Sequence, residues 1–158
     1  MSISFRLKYI AGLVSPGYTV ADIGTDHGYV PVFLLREKII PHAIAVDLSK
    51  GSLEKARELA EQAGLREQMD CRLSDGLSDV KPGEAQCIII AGMGGILMRR
   101  ILDSGLETVL AADELILSPH RNPELILDFL EEHSFRVVSD EIITDKKKQY
   151  RVIKAVRL

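Results

Sequence analysis

Ala21-Asp22-Ile23-Gly24-Thr25-Asp26-His27-Gly28-Tyr29-Val30-Pro31 is the stretch that decides the fold. An apolar run ends in an acid, two glycines follow four residues apart, and Asp26 and His27 stand between them. Glycine takes positive φ without steric cost and lets backbone approach a ligand, while proline suits the first turn of a helix. The stretch reads as a buried strand, a tight turn and a helix starting near Pro31. Such a unit at the front of an alternating chain is where nucleotide-like ligands bind. It is not the dinucleotide fingerprint, because Asp26 stands where that motif keeps its second glycine.

Upstream, Phe5, Leu7, Ile10, Leu13 and Val14 recur at helical spacing, which predicts a short amphipathic helix from Ile3 to Val14, closed by Pro16-Gly17. Tyr18 to Ile23 reads as the first strand and Val30 to Lys38 as the helix after it. Ala43 to Asp47 is a second apolar strand ending in an acid. Its helix runs from about Lys50 to Ala63, with Leu53, Ala56, Leu59, Ala60 and Ala63 on one face and Gly64 as the stop. Met69 to Leu73 is a third strand. Cys87 to Ala91 is apolar throughout, as a central parallel strand is, and runs through Gly92-Met93-Gly94-Gly95 into a helix from Ile96 to about Asp103. Glu114 to Leu117 makes a fifth strand; Asn122 as cap and Pro123 at the first helical position open a helix through Glu132. Phe135 to Thr144 and Gln149 to Leu158 close the chain as a β-hairpin around Asp145-Lys146-Lys147-Lys148.

Repeated strand–helix units require parallel pairing and right-handed crossovers. The expectation is one α/β domain over residues 1–158, a Rossmann-like, doubly wound, mostly parallel seven-stranded sheet with a C-terminal β-hairpin. Five strand–helix units plus a hairpin is the architecture of class I methyltransferases. The bulk numbers agree: 158 residues suit one domain, and 46% hydrophobic with 27% charged residues argues for a globular chain. No apolar run approaches the ~20 residues that span a bilayer, and the start lacks a signal-peptide pattern, so a cytoplasmic protein is expected. Cys71 and Cys87 lack metal-ligand spacing, so reduced thiols and no metal are expected. The net charge of −3 does not advertise nucleic-acid binding, although a local basic face would suffice.

Ligands of an open parallel sheet sit at the carboxyl ends of its strands. The first strand end offers Asp22, Gly24, Thr25, Asp26 and His27. The second offers Asp47, with Leu48 beside it, placed some twenty residues on, where an acid can accept both ribose hydroxyls. The third offers Asp75, Gly76 and Leu77, suited to an exocyclic amine and a purine face, and the fourth Gly92, Met93 and Gly94, which leave backbone bare. Four such strand ends on one rim point to an adenosine-bearing cofactor. A pyrophosphate wants bare amides and little negative charge. Asp22 and Asp26 crowd that loop, which favours S-adenosylmethionine, with its cationic sulfonium and ammonium, over NAD.

Asp22 to Pro31, Asp75-Gly76-Leu77, Ala91-Gly92-Met93-Gly94-Gly95 and Ser118-Pro119-His120 resemble the bacterial TrmK family of tRNA (adenine-22-N1)-methyltransferases over essentially the whole chain. The resemblance implies an S-adenosylmethionine-dependent domain that methylates N1 of an adenine in the tRNA D-arm. It implies cofactor contacts from Gly24, Asp47, Asp75, Gly76, Ala91, Gly92 and Met93, and roles at the transfer site for Asp26, His27 and the loop holding His120. Members usually carry a helical, coiled-coil-like C-terminal region, and the sequence here ends at Leu158. The second-strand acid, often Glu in the family, is Asp47, and the family's Gln-Pro-Asn loop reads Ser118-Pro119-His120.

Adenine N1 carries a free lone pair, so alignment alone supplies much of the catalysis. Asp26 is expected to accept from the adenine N6 amine and take up its proton; the alternative is that it bonds the turn backbone or the cofactor ammonium. His27 either meets the base or bonds nearby backbone, and His120 either holds the base or is a surface residue. Tyr29 reads as stacking on the base or as packing. Arg6, Lys8, Arg99, Arg100 and Arg121 are the RNA-binding candidates, and Lys146 to Lys148 reads as a solvated tip or a phosphate contact. Competing readings are methylation of a small molecule or protein, and a cofactor-binding module without activity of its own.

Overall fold

The structure, a computed structural model, describes residues 2–158. Seven strands form one sheet in the order β3-β2-β1-β4-β5-β7-β6. Strands β1 (Val20–Ile23), β2 (Ala43–Asp47), β3 (Met69–Leu73), β4 (Cys87–Met93) and β5 (Glu114–Pro119) run parallel. The terminal hairpin, β6 (Phe135–Asp145) and β7 (Lys148–Arg157), adds two antiparallel strands beside β5. The expected doubly wound sheet with its closing hairpin is therefore present. Its direction reverses at β1, which pairs with β2 on one side and β4 on the other. That switch point opens a crevice at the strand ends.

Side chains alternate across each strand, so the sheet divides the core in two. Val20, Ala43, Ala45, Cys87, Ile89 and Val152 face α1 (Phe5–Gly12), α2 (Tyr29–Arg36) and α3 (Lys50–Gln62). Ala21, Ile23, Ile44, Val46, Ile88, Ile90 and Leu117 face α4 (Gly95–Ser104), α5 (Leu106–Leu110) and α6 (Pro123–Glu132). No helix among the described residues is long and apolar enough to cross a membrane.

The structure departs from the sequence reading in four places. Helix α1 begins at Phe5 and not Ile3, because the Ser4 hydroxyl caps it by accepting from the Leu7 N–H at 3.2 Å. No helix joins β3 to β4: Gly76 and Gly83 take positive φ around Pro82, and the crossover is a run of turns. Four of the five expected strand–helix units hold. Gly105 ends α4, yet a further short helix, α5, follows it. Asn122 does precede α6, but in left-handed backbone with no capping bond; its amide donates to Glu124 Oε1 at 3.2 Å instead.

Gly28 explains itself through packing. Its φ is +78°, and a Cβ there would lie 2.8 Å from Ala56 Cβ and 3.1 Å from Ala56 Cα, so the turn seats α2 directly on α3. Gly28→Ala combines left-handed strain with overpacking against backbone, and should cost roughly 2–4 kcal/mol. That corresponds to a melting temperature lowered by roughly 5–15 °C for a chain of this size, read by calorimetry. An unchanged melting temperature would show that α2 and α3 yield freely.

Candidate cofactor and substrate clefts

The turn after β1 is built on the end of β2. The N–H groups of Gly24 and Thr25 both donate to the Val46 carbonyl at 2.9 Å. Asp26, at φ +58°, donates its N–H to Asp47 Oδ2 at 2.9 Å, and Asp47 Oδ1 accepts from the Ser49 N–H at the same distance. Asp47 thus has a structural task that the sequence did not suggest, clamping two loops together. Two acceptances leave roughly two of a carboxylate's four lone-pair sites open.

Above this turn lies a cleft of 290 Å³. Of the predicted residues it gathers Asp22, Gly24, Thr25, Asp26, Ala91, Gly92 and His120, together with Arg6, Ile10 and Tyr29. Asp22 is buried, and Thr25 Oγ1 donates to its Oδ2 at 2.9 Å. Burial, opposed by the Thr25 hydrogen bond and reinforced by Asp47 and Asp26, pushes Asp22 from 3.8 up to about 6. Asp26 is the reverse case, with 74% of its side chain exposed and His27 Nε2 3.5 Å from its carboxylate. His27 stands edge-on to Tyr29, ring centroids 5.9 Å apart, on the α2–α3 side of the turn.

Asp75, Gly76 and Leu77 line a separate pocket of 160 Å³, together with Arg100 and Ile101. Leu77 is buried and belongs first to the core, where it packs on Gly105. Met93 and Gly94 border a wider cleft of 930 Å³ with Arg6, His120, Arg121, Lys148 and Tyr150. Strand β4 reaches this cleft because Gly92, at φ +82°, absorbs a bulge between Ala91 and Met93. Gly95 explains the closeness of the two glycine-rich and Ser-Pro-His loops. Its N–H donates to the Arg121 carbonyl at 2.7 Å, and a Cβ would lie 2.3 Å from the Asn122 oxygen. His120, tied by its N–H to the Met93 carbonyl at 3.0 Å, is held below the usual imidazole range by desolvation and by the nearby Arg6 charge. It stands neutral near pH 7.

The RNA-binding candidates separate. Arg6 and Arg121 line the wide cleft, whereas Arg100 borders the small pocket and Lys8 is exposed on α1. Arg99 is spent on packing: it pairs with Asp103 and Glu132, donates to the Leu125 carbonyl, and lies 5.2 Å from the Phe129 ring centroid. It rivets α4 to α6. Lys148 and Tyr150 were not singled out from the sequence as site residues. The two-residue alternation of Tyr150 and Val152, which share the α1-side face of β7, is the signal that could have found Tyr150.

The donor set fits a cationic adenosine cofactor. Gly92 and Gly94 leave open space where a Cβ would stand, and three carboxylates surround the turn. Among the described residues no group of His, Cys, Asp and Glu side chains is arranged to hold a metal ion. Asp22 gives the cleft a pH signature. With a folded value near 6 above an unfolded 3.8, the native state holds its proton longer, so stability falls as pH rises between those values. The penalty is fully present above pH 6 and absent below 3.8, about 3 kcal/mol from a shift of roughly two units. Asp22→Asn should therefore raise the melting temperature of the ligand-free protein by roughly 5–10 °C at pH 8 and change it little at pH 4. Melts across that range that stay parallel would rule out the buried ionisation.

Residues 3–153 match a family model described as a methyltransferase domain. Over 155 residues, 98% of the chain, the sequence is 33% identical to a tRNA (adenine(22)-N(1))-methyltransferase of Bacillus subtilis, and it spans 65% of that relative's length. A Streptococcus pneumoniae protein assigned as a tRNA (m1A22) methyltransferase, solved in complex with S-adenosyl-L-methionine, superposes with a TM-score of 0.94 at 34% identity, covering 99% of this chain and 73% of that one. The crystal structure of the B. subtilis m1A22 tRNA methyltransferase TrmK gives a TM-score of 0.94 at 32% identity, covering 99% and 67%. With sequence, sheet order and strand-end loops in agreement over nearly its whole length, the chain belongs to the TrmK family of methyltransferases.

Proposed function

We propose that this chain uses S-adenosylmethionine to methylate N1 of an adenine in tRNA, the position-22 base of the D-arm. The observation that carries the reading is the superposition of 99% of the chain on a relative solved with S-adenosyl-L-methionine, together with the acidic, glycine-backed cleft at the switch point. Bound there, the cofactor supplies an electrophilic methyl on a cationic sulfur. Asp22 and Asp26 offset that positive charge, Asp47 offers its remaining lone pairs to the ribose, and Asp75 accepts from the adenine amine.

N1 lies on the Watson–Crick edge, so the target base must leave its stack. The wide cleft gives it room, and Arg121 and Lys148 on the rim offer cations to its phosphates. The N1 lone pair forms the new N–C bond in line as the bond to sulfur breaks, which asks for positioning above all. The alkylated base is cationic, and its N6 proton becomes acidic. Asp26, exposed at the cleft rim on a turn fixed by Asp47, accepts from N6 and takes that proton. Neutral His120 orients the base by hydrogen bonding without adding charge beside the cationic cofactor.

Labelled S-adenosylmethionine incubated with tRNA, followed by nucleoside mapping, tests the reading. N1-methyladenosine that disappears when adenine 22 is replaced supports it; cofactor binding without transfer to tRNA overturns the substrate. Asp26→Asn should lower turnover by roughly ten- to a hundredfold with S-adenosylhomocysteine affinity unchanged. Full turnover in that variant would remove Asp26 from the chemistry. Arg121→Gln and Lys148→Gln should each reduce the slope of log affinity against log salt by about 0.7–0.9, measured by tRNA titration.

A further inference from the structure

The guanidinium of Arg6 is placed with unusual care. Ser4 caps the helix that carries it, and the Arg6 N–H donates to Asp145 Oδ2 at 3.0 Å, tying α1 to the terminal hairpin. The guanidinium lies 4.8 Å from the centroid of the Tyr150 ring, whose other neighbour is His120 at 6.0 Å. This stack forms part of the wall between the 290 Å³ and 930 Å³ clefts, and Arg6 and His120 line both. Yet Arg6 Nη1 is buried without a hydrogen-bond partner, alone among buried side-chain nitrogen and oxygen atoms of the described residues. Buried charged donors are otherwise satisfied, because desolvating them without a partner is costly.

The surrounding charges define what would complete it. Among the residues lining the smaller cleft, Arg6 is the one permanent cation, facing Asp22 and Asp26. Neither carboxylate lies within ion-pair distance of it. The two acids suit the cationic end of a zwitterionic ligand and repel any anionic group on it. A planar guanidinium that can swivel over the Tyr150 face, keeping its stack while turning an N–H edge into either cleft, is suited to an oxyanion.

We propose that Arg6 is an oxyanion clamp at the threshold of the two clefts. Its ligand is either the carboxylate at the amino-acid end of S-adenosylmethionine or a phosphate of the bound tRNA. The proposal rests on the methyltransferase reading and assigns Arg6 a binding role within it. The clamp explains why α1 is fastened at both its cap and the hairpin: a cation that must meet a small anion needs a fixed base.

Calorimetry with S-adenosylhomocysteine and with 5′-methylthioadenosine, which lacks the amino-acid end, tests it on the wild type, Arg6→Lys and Arg6→Met. If the carboxylate is the ligand, Arg6→Met weakens S-adenosylhomocysteine at least tenfold, leaves 5′-methylthioadenosine within twofold, and Arg6→Lys recovers part of the loss. If a phosphate is the ligand, both small molecules bind as in wild type while tRNA binds at least tenfold more weakly and its salt slope drops by about one. An Arg6→Met protein that binds all three as wild type overturns the clamp alone. Equal losses for both small molecules assign Arg6 to structure and overturn it too. A wild-type protein that binds neither small molecule overturns the cofactor reading, and the clamp with it.

Discussion

The carboxylate of Asp47 holds the amides of Asp26 and Ser49 at 2.9 Å each, and the rest of the site depends on that bond pair. A non-glycine residue at φ +58° pays in strain and persists only where its surroundings fix it. Here the fixing comes from the neighbouring strand: Val46 receives two amides from the turn and Asp47 a third. The turn is thereby a rigid shelf. Asp22 sits beneath it, buried, and Asp26 projects from it into solvent. Two acids four residues apart acquire opposite environments, one disfavouring its charge and one leaving it free.

Much of this was legible in the sequence because it rests on local signals. Apolar runs ending in acids or glycines located all five parallel strands, and the tight glycine turn after β1 followed from Gly24 and Gly28 alone. What escaped rests on contacts between distant segments. The structural role of Asp47 needs the β1 turn to lie over β2, and that of Arg99 needs α4 to lie beside α6. Period and propensity carry no term for either. The missing β3–β4 helix has a different cause, since Gly76, Pro82 and Gly83 were visible but were outweighed by the regularity of the alternating units.

The glycines show the same division. Gly92 and Gly94 face open space, as a backbone meant to meet a ligand would, whereas Gly28 and Gly95 are filled in by Ala56 and by the Asn122 carbonyl. In sequence the two pairs look alike. Their difference is that one pair serves the cleft and the other brings helix to helix and loop to loop, so that Arg121 and His120 stand beside the β4 end. The placement of the cationic rim is therefore a packing consequence, set by how closely two backbones can approach.

Asp22 gives the last step. A carboxylate buried with a single hydrogen-bonding hydroxyl, and pushed up by two neighbouring acids, weakens the folded chain at neutral pH. Packing alone would favour an uncharged residue there, since an apolar or amide side chain avoids the desolvation penalty. The same burial that makes the charge costly also strengthens its attraction for a cation entering the cleft, because screening there is weak. Under the proposed function the sign of the term reverses when a sulfonium-bearing ligand arrives. Stability given up in the free protein is recovered as affinity, the exchange expected where a site is destabilised in order to bind. The Arg6 guanidinium, short of one partner on the opposite wall, is the complementary case of opposite charge. A zwitterion with its cationic end toward Asp22 and its anionic end toward Arg6 would relieve both.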